Sequence, residues 1–392
     1  MTSAVAVTGV GAVTPLGVGA AVLTARLKAG ESGLGPGEGR CTEFDEGEHL
    51  GRRERRRNAR FAQFALVAAE EALRQAGWSA GLPYPAEEIG CVIGTGLGGV
   101  PEAGAAASGS PLTVPLMMPN SAAVAVSTRH GLRGESFAVS GACAAGAQAI
   151  GHGLRAVRSG AARAMVVGGA EAALLPLVRD SFAAAGALSP TGRCLPFDEE
   201  RDGFVMGEGA GVLVLERVED ALARGAGILG LVLGYGASSD AHHLTAPAPD
   251  GAMAALAVRR ALADAGTDPA GLHYVNAHGT GTRLNDEAEL RSLRLALGAE
   301  RAAALPLSST KAATGHLFGA GGAVEAIVTL DAVRTGWAPP TLGLSRPDPA
   351  LEPADHLRTA RELAPPGGAR TTGLSNSLGF GGHNAVLVLG AP

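Results

Sequence analysis

The order of elements in this chain repeats itself. Glu71–Gly77 reads EALRQAG and leads into GCVIGTGLGG, while Arg260–Gly266 reads RALADAG and leads into LHYVNAHGTG; Gly77 and Gly266 stand 189 residues apart. Ala156–Gly160 (AVRSG) and Ala332–Gly336 (AVRTG) each close an Ala-rich helical stretch, with their glycines 176 residues apart. Self-similarity at a long period is the mark of a duplicated architecture. Chance matching in an Ala/Gly/Arg-rich chain is the alternative that these phrases alone leave open. Read as a duplication, the chain divides into residues 1–235 and 236–392, with a site where the halves meet.

The local pattern gives the class. Ala4–Thr8, Gly90–Gly94, Ser136–Ser140, Ala164–Gly168, Gly211–Leu215, Leu229–Gly234, His273–Asn276, Leu305–Ser309 and Ala385–Leu389 read as strands. Ala59–Ala76, Ala144–Arg158, Ala252–Ala265, Asp286–Leu297 and Gly322–Arg334 read as helices. Near-continuous apolar strands alternating with helices predict an α/β fold whose strands are buried and mostly parallel.

Composition narrows the function. With 46% hydrophobic and 18% charged residues, disorder is excluded as the main state. Glycine, 59 of 392 residues, has no triplet period, so collagen is excluded and close backbone approaches are expected instead. A net charge of −5 argues against a dedicated nucleic-acid binder. Cys41, Cys91, Cys143 and Cys194 form no CxxC pair, which argues against a disulfide framework or a zinc ribbon. The N-terminal segment lacks the basic region of a signal peptide. The uncharged run Ala103–Thr128 is broken by Pro111, Pro115 and Pro119, a poor membrane span. These features suggest a cytoplasmic protein of a reducing compartment that binds neither nucleic acid nor membrane.

Some segments could carry chemistry. In VSGACAAG a β run ends in small residues and Cys143 opens an Ala-rich helix. A thiol there sits at the positive end of the helix dipole, which favours thiolate; a buried core cysteine is the other reading. In YVNAHGTGT, His278 ends a buried strand and suits acid/base or hydrogen-bond work, with Thr280 and Thr282 able to hold a polar ligand arm; a turn-capping histidine is the alternative. In SSTKAATGHLFGAGGAVE, Lys311 and Glu325 could pair and so order His316, although the segment also reads as a surface helix start. In SNSLGFGGHN, Phe380 among glycines suits a gate or a backbone oxyanion donor, or the segment is a hairpin loop near the C-terminus. One thiol, two histidines, a Lys–Glu pair and a glycine-rich loop together suit acyl transfer through a thioester.

At these residues the chain resembles the β-ketoacyl-acyl carrier protein synthases of the thiolase superfamily. ACAAG around Cys143, NAHGTGT around His278, SSTKAATGH and SNSLGFGGHN carry the resemblance, with PFDEERDGFVMGEGAGVLVLE (Pro196–Glu216) and SSDAHHLTAPAPDG (Ser238–Gly251), in order along essentially the whole chain. The resemblance implies a thiolase-like five-layered α-β-α-β-α fold from two duplicated halves, the first carrying the nucleophile and the second the two histidines. It implies an elongating Cys-His-His enzyme that condenses an acyl-enzyme thioester with malonyl-acyl carrier protein, with loss of CO₂. Cys143 would be acylated. His278 and His316 would stabilise the enolate, with Lys311 and Glu325 as the structural pair behind them. Thr280 and Thr282 would hold the phosphopantetheine arm. Phe380 would gate the site and complete the oxyanion hole with the backbone of Cys143.

No metal or redox cofactor is implied, since substrates ride on the phosphopantetheine of acyl carrier protein. The implied assembly is a homodimer, or a heterodimer with a chain-length-factor-like subunit. Arg52, Arg53, Arg55 and Arg56, in the basic run RRERRR, fall where the family contacts its acidic carrier; a solvated charged face is the plain alternative. Relative to the family, Gly281 stands for a common Ser and Leu378 for a common Phe. Gly35–Asn58 and Pro101–Pro119 look shorter than in primary fatty-acid enzymes. The two substitutions bear on acyl-chain preference, and the shortened stretches favour a type II polyketide or polyene pathway over primary fatty-acid elongation.

Other readings fare worse. GTGLGG at Gly94–Gly99 does not have the dinucleotide-binding spacing. A degradative thiolase needs a second cysteine near the C-terminus, where GFGGHN has none. A non-catalytic partner subunit would typically lack Cys143.

Overall fold

The computed structural model describes residues 4–100, 110–363 and 370–392. The strands that build the fold are β1 (Val5–Thr14), β2 (Ile89–Gly94), β3 (Ser136–Val139), β4 (Ala164–Glu171) and β5 (Gly209–Arg217), then β6 (Gly230–Ser239), β7 (Tyr274–Asn276), β8 (Pro306–Ser308), β9 (Thr372–Gly379) and β10 (His383–Gly390). In the first set, β5 lies antiparallel between β1 and β4, β4 is parallel to β2, and β2 is parallel to β3. In the second set, β10 lies antiparallel between β6 and β9, β9 is parallel to β7, and β7 is parallel to β8. The pairing pattern is the same, and it restarts at β6, which contains residue 235. The sets join edge to edge through a short antiparallel ladder, Val5↔Val232 to Val7↔Gly230.

The expectation of mostly parallel strands is corrected here: each set mixes parallel and antiparallel pairs. One cause is local. Only the turn Phe380–Gly382 separates β9 from β10, and a connection that short can join only antiparallel strands. Strand β9 itself is absent from the sequence-based assignment, because its polar, glycine-bearing SNSLG reads as loop.

The helices α1 (Arg60–Gln75), α2 (Ala145–Ser159), α3 (Ala252–Ala265), α4 (Arg283–Leu297) and α5 (Gly321–Thr335) match their sequence expectations to within a few residues. Helices α2 and α5 lie between the two sheets, α1 covers the outside of the first, and α3 and α4 cover the outside of the second. That gives five layers, α-β-α-β-α. The strands are buried on both faces, so neighbouring residues serve different cores. Leu213, Leu215, Leu387 and Leu389 face the central helices. Val212 and Val214 face α1, and Val386 and Val388 face α3 and α4. Helix α5 is apolar around nearly its whole circumference because both sheets cover it.

Glycine makes this stacking possible at matched places. A Cβ on Gly9 or Gly11 of β1 would stand 1.9 or 2.0 Å from the carbonyl oxygen of Ala72 or Ala68 in α1. A Cβ on Gly234 or Gly236 of β6 would stand 2.4 or 2.1 Å from that of Ala261 or Ala257 in α3. A Gly-x-Gly first strand against a helix with alanines four apart is thus a second signature of the repeat. Elsewhere, buried Glu216 at the end of β5 accepts hydrogen bonds from Thr8, from Tyr84 at 2.7 Å and from Arg224 at 2.5 and 2.7 Å, tying the end of β5 to β1 and to the segments around Tyr84 and Arg224. Gly9→Ala should cost about 3 kcal/mol or more through forced separation of α1 from β1. Gly227→Ala, exposed with nothing within 4 Å of the new methyl, should stay within about 0.5 kcal/mol. Denaturant titration of the two variants against the parent checks both.

Candidate active site

Equivalent connections of the two halves converge on one cavity. The turn after β3 carries Cys143 and opens α2; the turn after β8 carries His316 and opens α5. The loop after β7 carries His278, and its counterpart after β2 carries Gly96 and Leu97. A cavity of about 470 Å³ is lined by Cys143, His278, His316, Thr280, Thr282 and Phe380. Phe182, Phe204, Phe318 and Leu378 complete its apolar wall.

Cys143 lies in the single helical turn Ala142–Ala144, directly ahead of α2. Ala142 takes a left-handed φ of 49°, a strained conformation for a residue with a Cβ. The half-buried thiol is pushed up to about 12, by burial first; the Lys311 ammonium and the backbone N–H of Phe380 pull the other way. The glycine-rich turn reaches this close because Gly379 has no side chain: a Cβ there would stand 3.2 Å from the Cys143 amide nitrogen. Two backbone N–H groups, of Cys143 and Phe380, are therefore neighbours beside the sulfur.

The histidines form the other wall. His316 Nε2 is 3.0 Å from Cys143 Sγ, and its Nδ1 accepts from the Phe318 backbone N–H at 3.3 Å. His278 Nδ1 accepts from Lys311 Nζ at 3.2 Å. Each Nδ1 is thus occupied as an acceptor, which places the proton of each neutral ring on Nε2. Burial, and after it the Lys311 ammonium, hold both imidazoles well below their ordinary range, so both rings are neutral at pH 7. Their centroids are 5.3 Å apart at an interplanar angle of 82°. The result is two fixed N–H donors on one side of the Cys143 sulfur.

Lys311 holds the arrangement from behind. Its Nζ donates to His278 Nδ1, to the His278 carbonyl at 2.6 Å and to Glu325 Oε1, filling its donor capacity. Lys311 and Glu325 are both buried, and burial raises the Glu325 carboxyl while Lys311 opposes it. The sequence expectation of a Lys311–Glu325 pair is met. The order it brings, however, is to His278, while His316 is fixed by Phe318.

Thr280 and Thr282 stand together, Oγ1 to Oγ1 at 2.9 Å, and Thr282 also caps α4 through Asn285 N–H at 3.4 Å. Leu378 lines the cavity. Gly281 does not line it; its φ of +80° makes glycine the natural occupant. Arg52–Arg57 forms its own short helix, in which Arg52, Arg53 and Arg56 are exposed, Arg55 is half-buried, and none lines the cavity. Pro101–Gly109, within one of the shortened stretches, lies outside the described residues. Among the described residues no cluster of three or more His, Cys, Asp or Glu side chains is placed to hold a metal ion, and no helix is long and apolar enough to cross a membrane.

Glu289, Asp286 and Glu171, buried around this site, escaped the sequence reading. Glu289 accepts from His278 N–H at 2.7 Å, Gly279 N–H at 2.8 Å and Asn376 at 3.1 Å. Asp286 accepts from Phe197, Thr280 and Gly281 N–H groups at 2.8, 3.1 and 3.2 Å. Between them they set the backbone of the His278–Gly281 loop. Glu171, at the end of β4, accepts from Gly96, Leu97 and Gly319 N–H groups and from the Thr95 hydroxyl. Burial raises Glu171 and Glu289 to about 7. A signal existed for each: Asp286 and Glu289 share the inner face of an amphipathic helix, and Glu171 is the only charge between Arg163 and Arg179.

Known proteins share this construction. The beta-ketoacyl synthase N-terminal domain family matches residues 2–221 and the C-terminal domain family matches residues 229–345. The chain is 41% identical over 414 residues to 3-oxoacyl-[acyl-carrier-protein] synthase 2 of Synechocystis sp., covering 98% of this chain and 97% of the relative. It is 41% identical over 363 residues to the protein of the same name from Staphylococcus aureus, covering 89% of this chain and 86% of the relative. Among solved structures, a beta-ketoacyl synthase from Burkholderia phymatum superposes with a TM-score of 0.89 at 33% identity, and the ishigamide ketosynthase/chain length factor with 0.88 at 33%. A type II polyketide synthase ketosynthase, bound to the hexaketide and in complex with its acyl-carrier protein, gives 0.86 at 30%. All three alignments cover 100% of both chains. Likeness of this extent, running through both halves of the fold, makes this chain a member of the beta-ketoacyl synthase family of acyltransferases.

Proposed function

We propose that Cys143, His278 and His316 carry the decarboxylative condensation of this ketosynthase. The observation that carries the assignment is the pair of neutral imidazoles whose Nδ1 atoms are both occupied, leaving both Nε2–H groups for the space beside Cys143 Sγ. In the first step the sulfur attacks an acyl thioester delivered by acyl carrier protein. The new S–C bond replaces the carrier's, and the Cys143 proton leaves with the carrier thiol. The N-terminus of α2 and the Lys311 ammonium favour the thiolate against the cost of burial. The backbone N–H groups of Cys143 and Phe380 receive the oxyanion.

In the second step malonyl-carrier enters with its thioester oxygen towards the two Nε2–H donors. The bond to CO₂ breaks and its electron pair becomes the enolate, whose oxygen both donors stabilise. The enolate carbon attacks the acyl carbon, the Cys143 sulfur leaves and regains a proton, and a β-ketoacyl thioester two carbons longer departs on the carrier. Neutral histidines suit this step: a donor aimed at developing charge is needed, and no proton is consumed in forming the enolate. Thr280 and Thr282 hold the phosphopantetheine arm, Phe380 gates it, and no metal or redox cofactor takes part.

The partner is acyl carrier protein, with Arg52, Arg53, Arg55 and Arg56 as its basic docking face, and the protein works as a homodimer or beside a chain-length-factor-like subunit. A type II polyketide or polyene pathway is supported by the likeness to the ishigamide ketosynthase/chain length factor and to the hexaketide-bound ketosynthase. Primary fatty-acid elongation is the second reading, favoured by the 41% identity to 3-oxoacyl-[acyl-carrier-protein] synthase 2.

Intact-protein mass spectrometry with a panel of acyl-carrier thioesters should show a gain of one acyl group, lost in Cys143→Ala; a gain that survives the substitution rules out this nucleophile. His278→Ala should still be acylated while malonyl-carrier decarboxylation falls about 10²–10³-fold; equal losses in both steps would remove its assigned role. Reversing Arg55 and Arg56 to Glu should raise KM for carrier-bound substrate and leave small thioester mimics unaffected. A matching rise for the mimics would sink the docking assignment.

A further inference from the structure

We propose that Glu171 is a positioning residue that fastens the acyl-cavity wall of the first half to the His316 loop of the second. Its carboxylate, fully buried, is shared between two loops. Oε1 accepts from Thr95 Oγ1 at 3.1 Å and Leu97 N–H at 3.2 Å; Oε2 accepts from Gly96 N–H at 2.6 Å and Gly319 N–H at 3.1 Å. Gly96 and Leu97 face the cavity, and Gly319 follows Phe318, which faces it too. The loops also meet directly, since a Cβ on Gly319 would stand 2.4 Å from the Gly96 amide nitrogen.

The consequence runs through Phe318. This residue holds a left-handed φ of 47°, a conformation that a bulky side chain keeps only when its surroundings impose it. The Glu171–Gly319 bond fixes the peptide that follows Phe318, while the N–H that precedes it is the one given to His316 Nδ1. That donation sets the His316 tautomer and keeps Nε2–H towards Cys143. Glu171 therefore acts on His316 at one remove, and on the Gly96–Leu97 wall directly.

The second half supplies a parallel. The loop after β2 and the loop after β7 are equivalent in the repeat. Glu289 receives the His278 and Gly279 N–H groups of one, as Glu171 receives the Gly96 and Leu97 N–H groups of the other. The same device that aims His278 is present in the half that shapes the acyl cavity.

The inference rests on the ketosynthase chemistry proposed above. In Glu171→Gln one acceptor oxygen becomes an NH₂ donor facing N–H donors, without change of volume. Wild type and E171Q are compared in Cys143 acylation by short and long acyl-carrier thioesters, in malonyl-carrier decarboxylation, and by circular dichroism for folded fraction. The expected result is short-chain acylation within about threefold of wild type, decarboxylation lower by about tenfold or more, and an altered ratio of long- to short-chain acylation. Thr95→Val, which removes one donor to the carboxylate together with the acceptor of the Gly98 N–H, should shift the same readouts in the same direction by less, and it carries the test if E171Q does not fold. Unchanged decarboxylation and chain-length ratio, or losses in every step that only track the folded fraction, overturn the proposal. Failure of wild type to be acylated at Cys143 would instead overturn the ketosynthase assignment on which it stands.

Discussion

The two central helices touch backbone to backbone, and the active site exists because they do. A Cβ on Gly146 of α2 would stand 2.8 Å from the amide nitrogen of Ala323 in α5, and one on Gly322 of α5 would stand 2.8 Å from that of Ala147 in α2. The contact is reciprocal, as expected where equivalent helices of a repeat meet across their pseudo-symmetry axis. Each helix begins just after a side chain that faces the cavity, Cys143 on one and His316 on the other. Bringing their N-terminal turns together brings the sulfur within 3.0 Å of the imidazole although 173 residues separate them. A side chain on either glycine would push the helices apart, and the site would open with them.

Once assembled, the site is governed by burial. Lys311, Glu325, Glu171, Glu289, Asp286 and both histidines have almost no exposure. Charged groups persist in such surroundings only when they are paired or hydrogen-bonded. Lys311 meets its own with three acceptors, and Glu171 meets its own largely with backbone amides. The histidines take the other course and stay neutral. Beside the Cys143 sulfur the low-dielectric site thus keeps the Lys311–Glu325 pair behind His278 and presents dipoles: two imidazole N–H groups on one side, two backbone N–H groups on the other. That division suits a reaction in which negative charge appears on a thioester oxygen and then disappears.

Much of this was legible in the chain. The strand and helix pattern, the long repeat and the small-residue setting of Cys143 are local properties, written in periodicity and in helix-start chemistry. Cys143, His278, Lys311, His316 and Phe380, read as separate weak signals, do line or support one cavity. Less legible were strand β9, whose polar residues are tolerated because they end at the site, and the strand directions, which depend on how connections close in space. Which histidine Lys311 serves could not be read from spacing: it lies nearer His316 in the chain, yet the fold turns its Nζ towards His278.

By itself the sequence determined what the elements are, how they repeat and which side chains are chemically able to act, because those follow from side-chain volume, period and pKa class. Only the tertiary structure decided their protonation and aim. The tautomers of His278 and His316 are set by a lysine from another loop and by a strained backbone turn, and the loops that carry them are held by Glu289, Asp286 and Glu171. Such contacts join residues far apart in the chain, and the hydrogen bonds that fix them form only once burial has removed water as a competitor.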